Sequence, residues 1–129
     1  MTLRLPEDLR TEIVDHCLAE APNEGCGLIA VSDGTVVKVY GTANQDASPF
    51  GFTVPPEEHY KALTDAESHG WEIGGVFHSH PNGTARLSMV DVDRALDPDW
   101  FYLVIGLDGE PQLRVWRILD GQISEVPVE

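Results

Sequence analysis

An apolar segment that ends in two histidines is the strongest constraint on how this chain can fold. Residues 72–78 are expected to form a strand, and His80 follows His78 with one residue between them before Pro81 ends the segment. Side chains of a strand point alternately to its two faces, so both imidazoles can lie on one face while Ser79 lies on the other. The segment therefore predicts a buried strand that ends in a pair of metal ligands.

Asp91 is the third candidate ligand. Ser88 precedes it by three residues and is a residue type favoured at the start of a helix, which we predict to extend to about Leu96. Asp91 would then lie in the first helical turn, where the helix dipole favours its charged form. Two histidines and one carboxylate leave a position open on a tetrahedral ion, as in catalytic zinc sites. These residue types also occur in non-haem iron sites, so by themselves they do not exclude iron.

The order and spacing of these residues resemble a known family. Residues 78–81 read His-Ser-His-Pro, and with Ser88 and Asp91 they resemble the H-x-H-P-x6-S-x2-D signature of the JAMM (MPN-plus) metalloproteases. Upstream, residues 22–28 read Pro-Asn-Glu-Gly-Cys-Gly-Leu and are similar to the family's P-x-E-x-x-G-x segment. The resemblance extends over residues 6–119.

This resemblance implies a role for each matched residue. His78, His80 and Asp91 would bind one zinc ion per chain. Glu24 would act as the general acid and base, and Ser88 would stabilise a tetrahedral oxyanion. The Ser88 hydroxyl could also simply cap the helix, and both roles can hold together. A cytidine-deaminase activity is not expected, because its cysteine ligands are missing.

The order of predicted elements indicates an α/β fold with a mixed sheet and helices on its faces. The resemblance implies a three-layer αβα arrangement with a central mixed sheet, the cytidine-deaminase-like JAMM/MPN fold, and we expect residues 1–129 to form a single domain. The predicted helices are 6–20, 55–69 and 88–96, and the predicted strands are 27–31, 35–40, 52–54, 72–78, 100–107, 112–119 and 123–126.

Composition limits the partners and the location. The chain has 22 acidic and 8 basic residues and a formal charge of -14, which argues against binding nucleic acid through phosphates and suits a surface adapted to high salt. No apolar run approaches the roughly 20 residues of a membrane helix, and no signal peptide is recognisable, so we expect a cytoplasmic protein without membrane contact. Cys17 and Cys26 are expected to be reduced and buried.

The remaining polar residues give weaker expectations. Arg86, in the loop before Ser88, is the only cation expected near the site; it would contact a substrate or be an ordinary exposed arginine. His16, His59 and His69 have no partner at ligand spacing and are expected at the solvated surface. The chain after Pro127 is expected to be frayed.

The resemblance also implies the reaction. Members of the family hydrolyse amide or isopeptide bonds, and the stand-alone prokaryotic members are associated with small ubiquitin-like or sulfur-carrier proteins, from whose C-terminus they release an amino acid or a conjugated protein. An extended tail of such a carrier could add to a sheet edge near the metal. The alternative is a non-catalytic scaffold or protein-binding module of the MPN fold; such members usually lack a ligand, and here none is missing. The leaving group and the oligomeric state stay open.

Overall fold

Six strands and three helices make up the protein in a computed structural model, which describes residues 1–129. Their bounds in chain order are α1 Glu7–Glu20, β1 Cys26–Ser32, β2 Thr35–Thr42, α2 Pro56–Ser68, β3 Glu72–His80, α3 Met89–Arg94, β4 Phe101–Gly106, β5 Gln112–Leu119 and β6 Gln122–Val126. The strands form one sheet in the order β2-β1-β3-β4-β5-β6. Only β3 and β4 are parallel, so the predicted mixed sheet is confirmed.

The two longer helices cover opposite faces of the sheet. Ile13 and Cys17 of α1 are buried in one apolar cluster together with Ile29 of β1. The next residue back along β1, Leu28, belongs to a second cluster, which also holds Ala62 of α2. Neighbouring residues of a strand face opposite sides, so these memberships place α1 and α2 on different faces and confirm the three-layer arrangement.

The centre of the sheet is packed too closely for any residue larger than glycine at position 27. A Cβ atom added to Gly27 of β1 would lie 2.3 Å from the carbonyl oxygen of Tyr40 and 2.4 Å from the ring of Phe77. Strand β3 pairs with β1 on one side and with β4 on the other, and His78 stands opposite Cys26 and Val104 in these pairings. The strand that carries both histidines is therefore an inner strand on a rigid support.

Two predicted elements differ in the structure. Residues 52–54 do not form a strand. The Phe52 carbonyl accepts from Arg94 and the Thr53 amide donates to Asn44, so these backbone groups bond to side chains rather than to a neighbouring strand. Helix α3 ends at Arg94, short of the predicted Leu96. The Tyr102 hydroxyl donates to the Asp97 carbonyl and accepts from the Asp97 amide, which holds the chain in a turn after the helix.

The C-terminus is not frayed, contrary to expectation. Val128 forms a parallel bridge with Leu3, and the amide of Glu129 donates to the Leu3 carbonyl at 2.9 Å. The amide of Leu5 donates back to the Glu129 carbonyl at 2.7 Å. The two ends of the chain therefore hold each other. No helix is both long and apolar enough to cross a bilayer.

Two of the three histidines expected at the surface are packed instead. The Nε2 atom of His16 donates to the carbonyl oxygens of Cys26 and Thr42 at 3.1 and 3.0 Å, which ties α1 to the sheet. His59 is half-buried, with its ring centroid 5.9 Å from that of Trp100. His69 is exposed as predicted.

Candidate metal centre

The end of β3 presents both candidate histidine ligands on one face of the sheet. His78 is buried and His80 is half-buried, and the side chain of Ser79 between them points to the opposite face. The Nδ1 atom of His80 donates to the Thr84 carbonyl at 3.0 Å. Because a carbonyl can only accept, Nδ1 carries the proton and Nε2 of a neutral His80 is free to bind a metal.

The loop between β3 and α3 is anchored so that Asp91 faces the histidines. Ala85 in this loop is buried, and its carbonyl accepts a hydrogen bond from the Trp116 indole at 3.1 Å. At the end of the loop, Ser88 Oγ accepts from the Asp91 amide at 3.1 Å while Asp91 Oδ2 accepts from the Ser88 amide at 2.8 Å. This capping box begins α3 and fixes the Asp91 carboxylate.

Three candidate metal-ligand atoms converge at nearly equal separations. Nε2 of His78 and Nε2 of His80 are 3.2 Å apart, and Oδ2 of Asp91 lies 3.2 Å from each of them. A tetrahedral zinc ion with bonds of about 2.0 Å holds its ligand atoms about 3.3 Å apart. The triangle therefore fits a single zinc ion, with one coordination position left over.

The charge states of Asp91 and His78 suit a cation. Burial opposes ionisation of Asp91, but hydrogen bonds from the two imidazoles and the Ser88 amide outweigh it and lower the Asp91 pKa below its usual range. Burial lowers the pKa of His78, so this imidazole is held neutral, as a ligand must be. The hydrogen bond with Asp91 raises the pKa of His80, which favours a proton on Nε2 in the metal-free site, and a bound cation would displace that proton.

Glu24 lies beside the triangle, as the resemblance to the family's upstream segment implies. Its side chain is almost fully buried, and ligand atoms of Glu24, His78 and His80 lie within 4.8 Å of one another. The Gly25 amide donates to Ser79 Oγ at 2.8 Å, and the Ser79 amide donates to the Gly25 carbonyl at 3.0 Å. This reciprocal pair fastens the Glu24 loop to the strand between the two histidines.

The environment of Glu24 changes its acidity. Burial raises the pKa of its carboxyl from 4.5 to about 7; the charge of His80 opposes this increase, and the charge of Asp91 adds to it by a smaller amount. A carboxyl with a pKa near neutrality can both accept and return a proton. Glu24 is thus equipped for proton transfer next to a metal site.

The cation at the site is Arg94, not Arg86. Arg86 is exposed and makes no hydrogen bond, in agreement with the alternative of an ordinary loop arginine. Arg94 lines the cleft that contains Glu24 and His78. Sequence reasoning missed it, although it follows Asp91 by three residues on the same helix and such spacing places two side chains on one face.

Comparison with known proteins decides the family. A family model described as prokaryotic homologs of the JAB domain matches residues 6–119. The chain belongs to this prokaryotic JAB family. The predicted resemblance to stand-alone prokaryotic JAMM proteins is therefore confirmed.

Curated relatives align with most of this JAB protein. A desampylase of Haloferax volcanii is 33% identical over 121 residues, which are 88% of this chain and 87% of the relative. A probable TtuB-protein conjugate cleaving protease of Thermus thermophilus is 34% identical over 125 residues, covering 95% and 80%. A CysO-cysteine peptidase of Mycobacterium tuberculosis is 29% identical over 125 residues, covering 94% and 86%.

Solved structures share the fold. A protein of Desulfitobacterium hafniense superposes with a TM-score of 0.91 at 34% identity, over 99% of this chain and 92% of that one. A JAB1/MPN domain protein from Archaeoglobus fulgidus superposes with a TM-score of 0.60 at 17% identity, over 99% and 97%. The predicted JAMM/MPN fold is confirmed.

A cleft of about 590 Å³ opens beside the metal triangle of the JAB protein. Its walls are formed by residues 50–54, by α3 with the turn that follows it, and by the inner strands. Apolar side chains form most of the lining, among them Leu28, Val76 and Trp100. Phe50 and Leu96 at its border are 88% and 91% exposed, so an apolar surface continues outward from the cleft.

Proposed function

We propose that this chain is a zinc-dependent metallopeptidase that hydrolyses an amide or isopeptide bond at the C-terminus of a small ubiquitin-like or sulfur-carrier protein. The observation that carries the proposal is the triangle of His78, His80 and Asp91 with a buried, proton-accepting Glu24 beside it. The substrate class is supported by the names of the relatives, which are a desampylase, a CysO-cysteine peptidase and a TtuB-conjugate protease.

His78, His80 and Asp91 would hold the zinc ion, and Glu24 would remain free for proton transfer. Glu24, His78 and His80 also form a group within 4.8 Å, so the two carboxylates compete as the third ligand. The lowered pKa of Asp91 keeps it ionised and its Oδ2 is equidistant from both imidazoles, whereas the raised pKa of Glu24 favours a group that gains and loses a proton. These differences favour Asp91 as the ligand.

Zinc, when bound, polarises the scissile carbonyl and makes a water molecule acidic near neutral pH. Glu24 accepts a proton from that water and delivers it to the leaving nitrogen, so that hydroxide ends on the acyl carbon and hydrogen on the amine. Ser88 Oγ already accepts the Asp91 amide hydrogen, which leaves the hydroxyl hydrogen free to donate to the oxygen that becomes negative. Ser88 thus combines the two roles that the sequence left open.

The tail of the carrier would lie in the cleft rather than along a sheet edge. Strand β3 is flanked by β1 and β4, and the nearer edge strand, β2, is two strands away, or about 10 Å. Backbone pairing at an edge would therefore keep an extended tail away from the triangle. The cleft reaches Glu24, His78 and Asp91 directly and is open to solvent at its apolar border.

A defined pair of substrates tests the proposal. A small ubiquitin-like protein that ends in Gly-Gly is prepared with its terminal carboxyl joined either to the α-amine of a free amino acid or to the ε-amine of a lysine in a peptide. Intact mass spectrometry after incubation with the zinc-loaded enzyme should show the free carrier from at least one adduct. The adduct that is cleaved identifies the leaving group, and survival of both adducts would refute the substrate class.

The ligand assignment has its own control. Asp91→Ala should purify without stoichiometric zinc, whereas Glu24→Gln should keep one zinc per chain and lose hydrolysis. If Glu24→Gln loses the metal and Asp91→Ala keeps it, the roles of the two carboxylates are exchanged.

A further inference from the structure

We propose that Arg94 is a positioning residue that fixes residues 50–54, here called the crossing segment, so that Phe52 braces the metal-binding imidazole of His78. The part of this inference that concerns catalysis rests on the proposed function. The part that concerns the order of the segment does not.

Arg94 holds the crossing segment through two separate donors. Its Nη1 atom donates to the Phe52 carbonyl at 2.9 Å, and its Nη2 atom donates to Thr53 Oγ1 at 3.2 Å. The guanidinium carbon lies 5.9 Å from the centre of the Phe52 ring. A planar guanidinium presents its donors in a fixed fork, so two adjacent acceptors restrain both the position and the direction of the segment.

Phe52 passes this restraint to a metal ligand. Its ring stacks on the His78 imidazole with centroids 4.6 Å apart and planes inclined by 17°. His78 points its Nε2 atom at the other two ligand atoms, so rotation of its ring would break the triangle. With Phe52 held against one face, the imidazole has less freedom to rotate.

Asn44 also holds the crossing segment. Its Oδ1 accepts from the Thr53 amide at 3.1 Å, and its Nδ2 donates to the carbonyls of Gly51 and Glu24, each at 3.0 Å. The segment is thus fastened to the Glu24 loop by Asn44 and to α3, which carries Asp91, by Arg94. Through these bonds the general base, one histidine and the carboxylate ligand share a common support.

The first experiment follows hydrogen exchange in the metal-free protein. The Thr53 amide, which donates to Asn44, and the Gln45 amide, which donates to the Thr53 carbonyl at 2.9 Å, report whether the segment is held. Arg94→Met should increase their exchange rates about 10-fold or more, because loss of the charged donors lowers the cost of local opening. The matched control is Arg10→Met, on α1 across the sheet, which should change neither rate. If the Thr53 and Gln45 amides exchange equally slowly in the Arg94 variant and in the wild type, Arg94 does not hold the crossing segment and the proposal is overturned.

The second experiment asks whether Arg94 acts through Phe52. In protein loaded with Co²⁺, Arg94→Met and Phe52→Leu should alter the visible absorption in the same way, because both release the same imidazole. In the zinc enzyme each should lower kcat about 10- to 100-fold, the usual cost of losing a group that orients a ligand. The double variant should be no slower than the slower single variant, whereas losses that multiply would show that Arg94 acts independently and would overturn the proposal.

Arg94→Lys adds a graded check. A lysine reaches one acceptor instead of two, so the exchange rates and the cobalt spectrum should fall between those of the wild type and Arg94→Met. A spectrum identical to that of Arg94→Met would contradict the role of the two-donor fork. If no carrier adduct is cleaved by the wild type, the proposed function fails while the exchange and cobalt measurements still decide the role of Arg94.

Discussion

Glu24→Gln separates the chemical role of this residue from its effect on stability. Glutamine has nearly the same shape, and the backbone around Glu24 is held independently of its side chain: the Glu24 amide donates to the Ser48 carbonyl at 2.9 Å, and the Glu24 carbonyl accepts from Asn44. The substitution removes the ability to ionise and replaces one carboxyl oxygen with an amide NH2 group. We therefore expect a folded, zinc-binding protein whose kcat is lower by about 10²- to 10⁴-fold, the usual contribution of general acid-base catalysis.

The same variant should be more stable than the wild type in the metal-free state at alkaline pH. Burial raises the Glu24 pKa from 4.5 in the unfolded chain to about 7 in the folded one, so the folded state binds the proton more tightly. Stability of the wild type then falls as pH rises from about 4.5 to 7 and levels off above. The difference in pKa corresponds to a loss of roughly 3 kcal/mol at most, which the uncharged glutamine side chain of the variant avoids.

Urea denaturation of both proteins after removal of zinc, at pH 4 and at pH 8, measures this difference. The two free energies of unfolding should nearly agree at pH 4, where Glu24 is mostly protonated in both states, and the variant should have the larger free energy of unfolding at pH 8. A variant that matches the wild type in stability at both pH values would refute the buried, proton-retaining carboxyl. Loss of zinc from the variant at neutral pH would contradict its position outside the ligand set.

Three further predictions concern the ligands, the helix cap and the charge. His78→Ala should abolish stoichiometric zinc, measured by atomic emission, because the two remaining ligand atoms cannot complete the triangle; one bound zinc per chain in this variant would disprove the assignment. Ser88→Ala should lower the free energy of unfolding by about 1 kcal/mol through loss of the capping box and should also reduce kcat in the folded enzyme, whereas a change in stability alone would leave Ser88 as a cap only. The protein has 22 acidic and 8 basic residues, so its melting temperature should rise between low salt and molar KCl as repulsion between the acidic side chains is screened. A melting temperature that does not change with salt would contradict adaptation to high salt.

The convergence of the candidate ligands was predictable because their geometry is local. His78 and His80 occupy one strand with one residue between them, and Ser88 and Asp91 form a capping box three residues apart, so the periodicity of a strand and of a helix end places them. Glu24 was found only because the family's motif includes it. Its approach depends on the pairing of β1 with β3, which no spacing in the sequence reveals.

The supporting residues were missed because their contacts are distant in sequence. Arg94 and Phe52 are 42 residues apart, and the hydrogen bond between them depends on how residues 50–54 cross the site. Ser79 was expected to point away from the metal, and it does, but its bond to Gly25 spans 54 positions. Residues 52–54 have the composition of a strand, yet the Phe52 carbonyl and the Thr53 amide bond to side chains rather than to a neighbouring strand.

The joining of the Glu24 loop to β3 through Ser79 and Gly25 has a consequence for the newly made protein. Glu24 lies before β1 and the histidines lie at the end of β3, so a ribosome must release more than fifty residues between them before Glu24 and the histidines can come together. Asp91 arrives later still. A partly synthesised or truncated chain consequently lacks an assembled hydrolytic centre, and cleavage activity begins only when the sheet has closed around its inner strand.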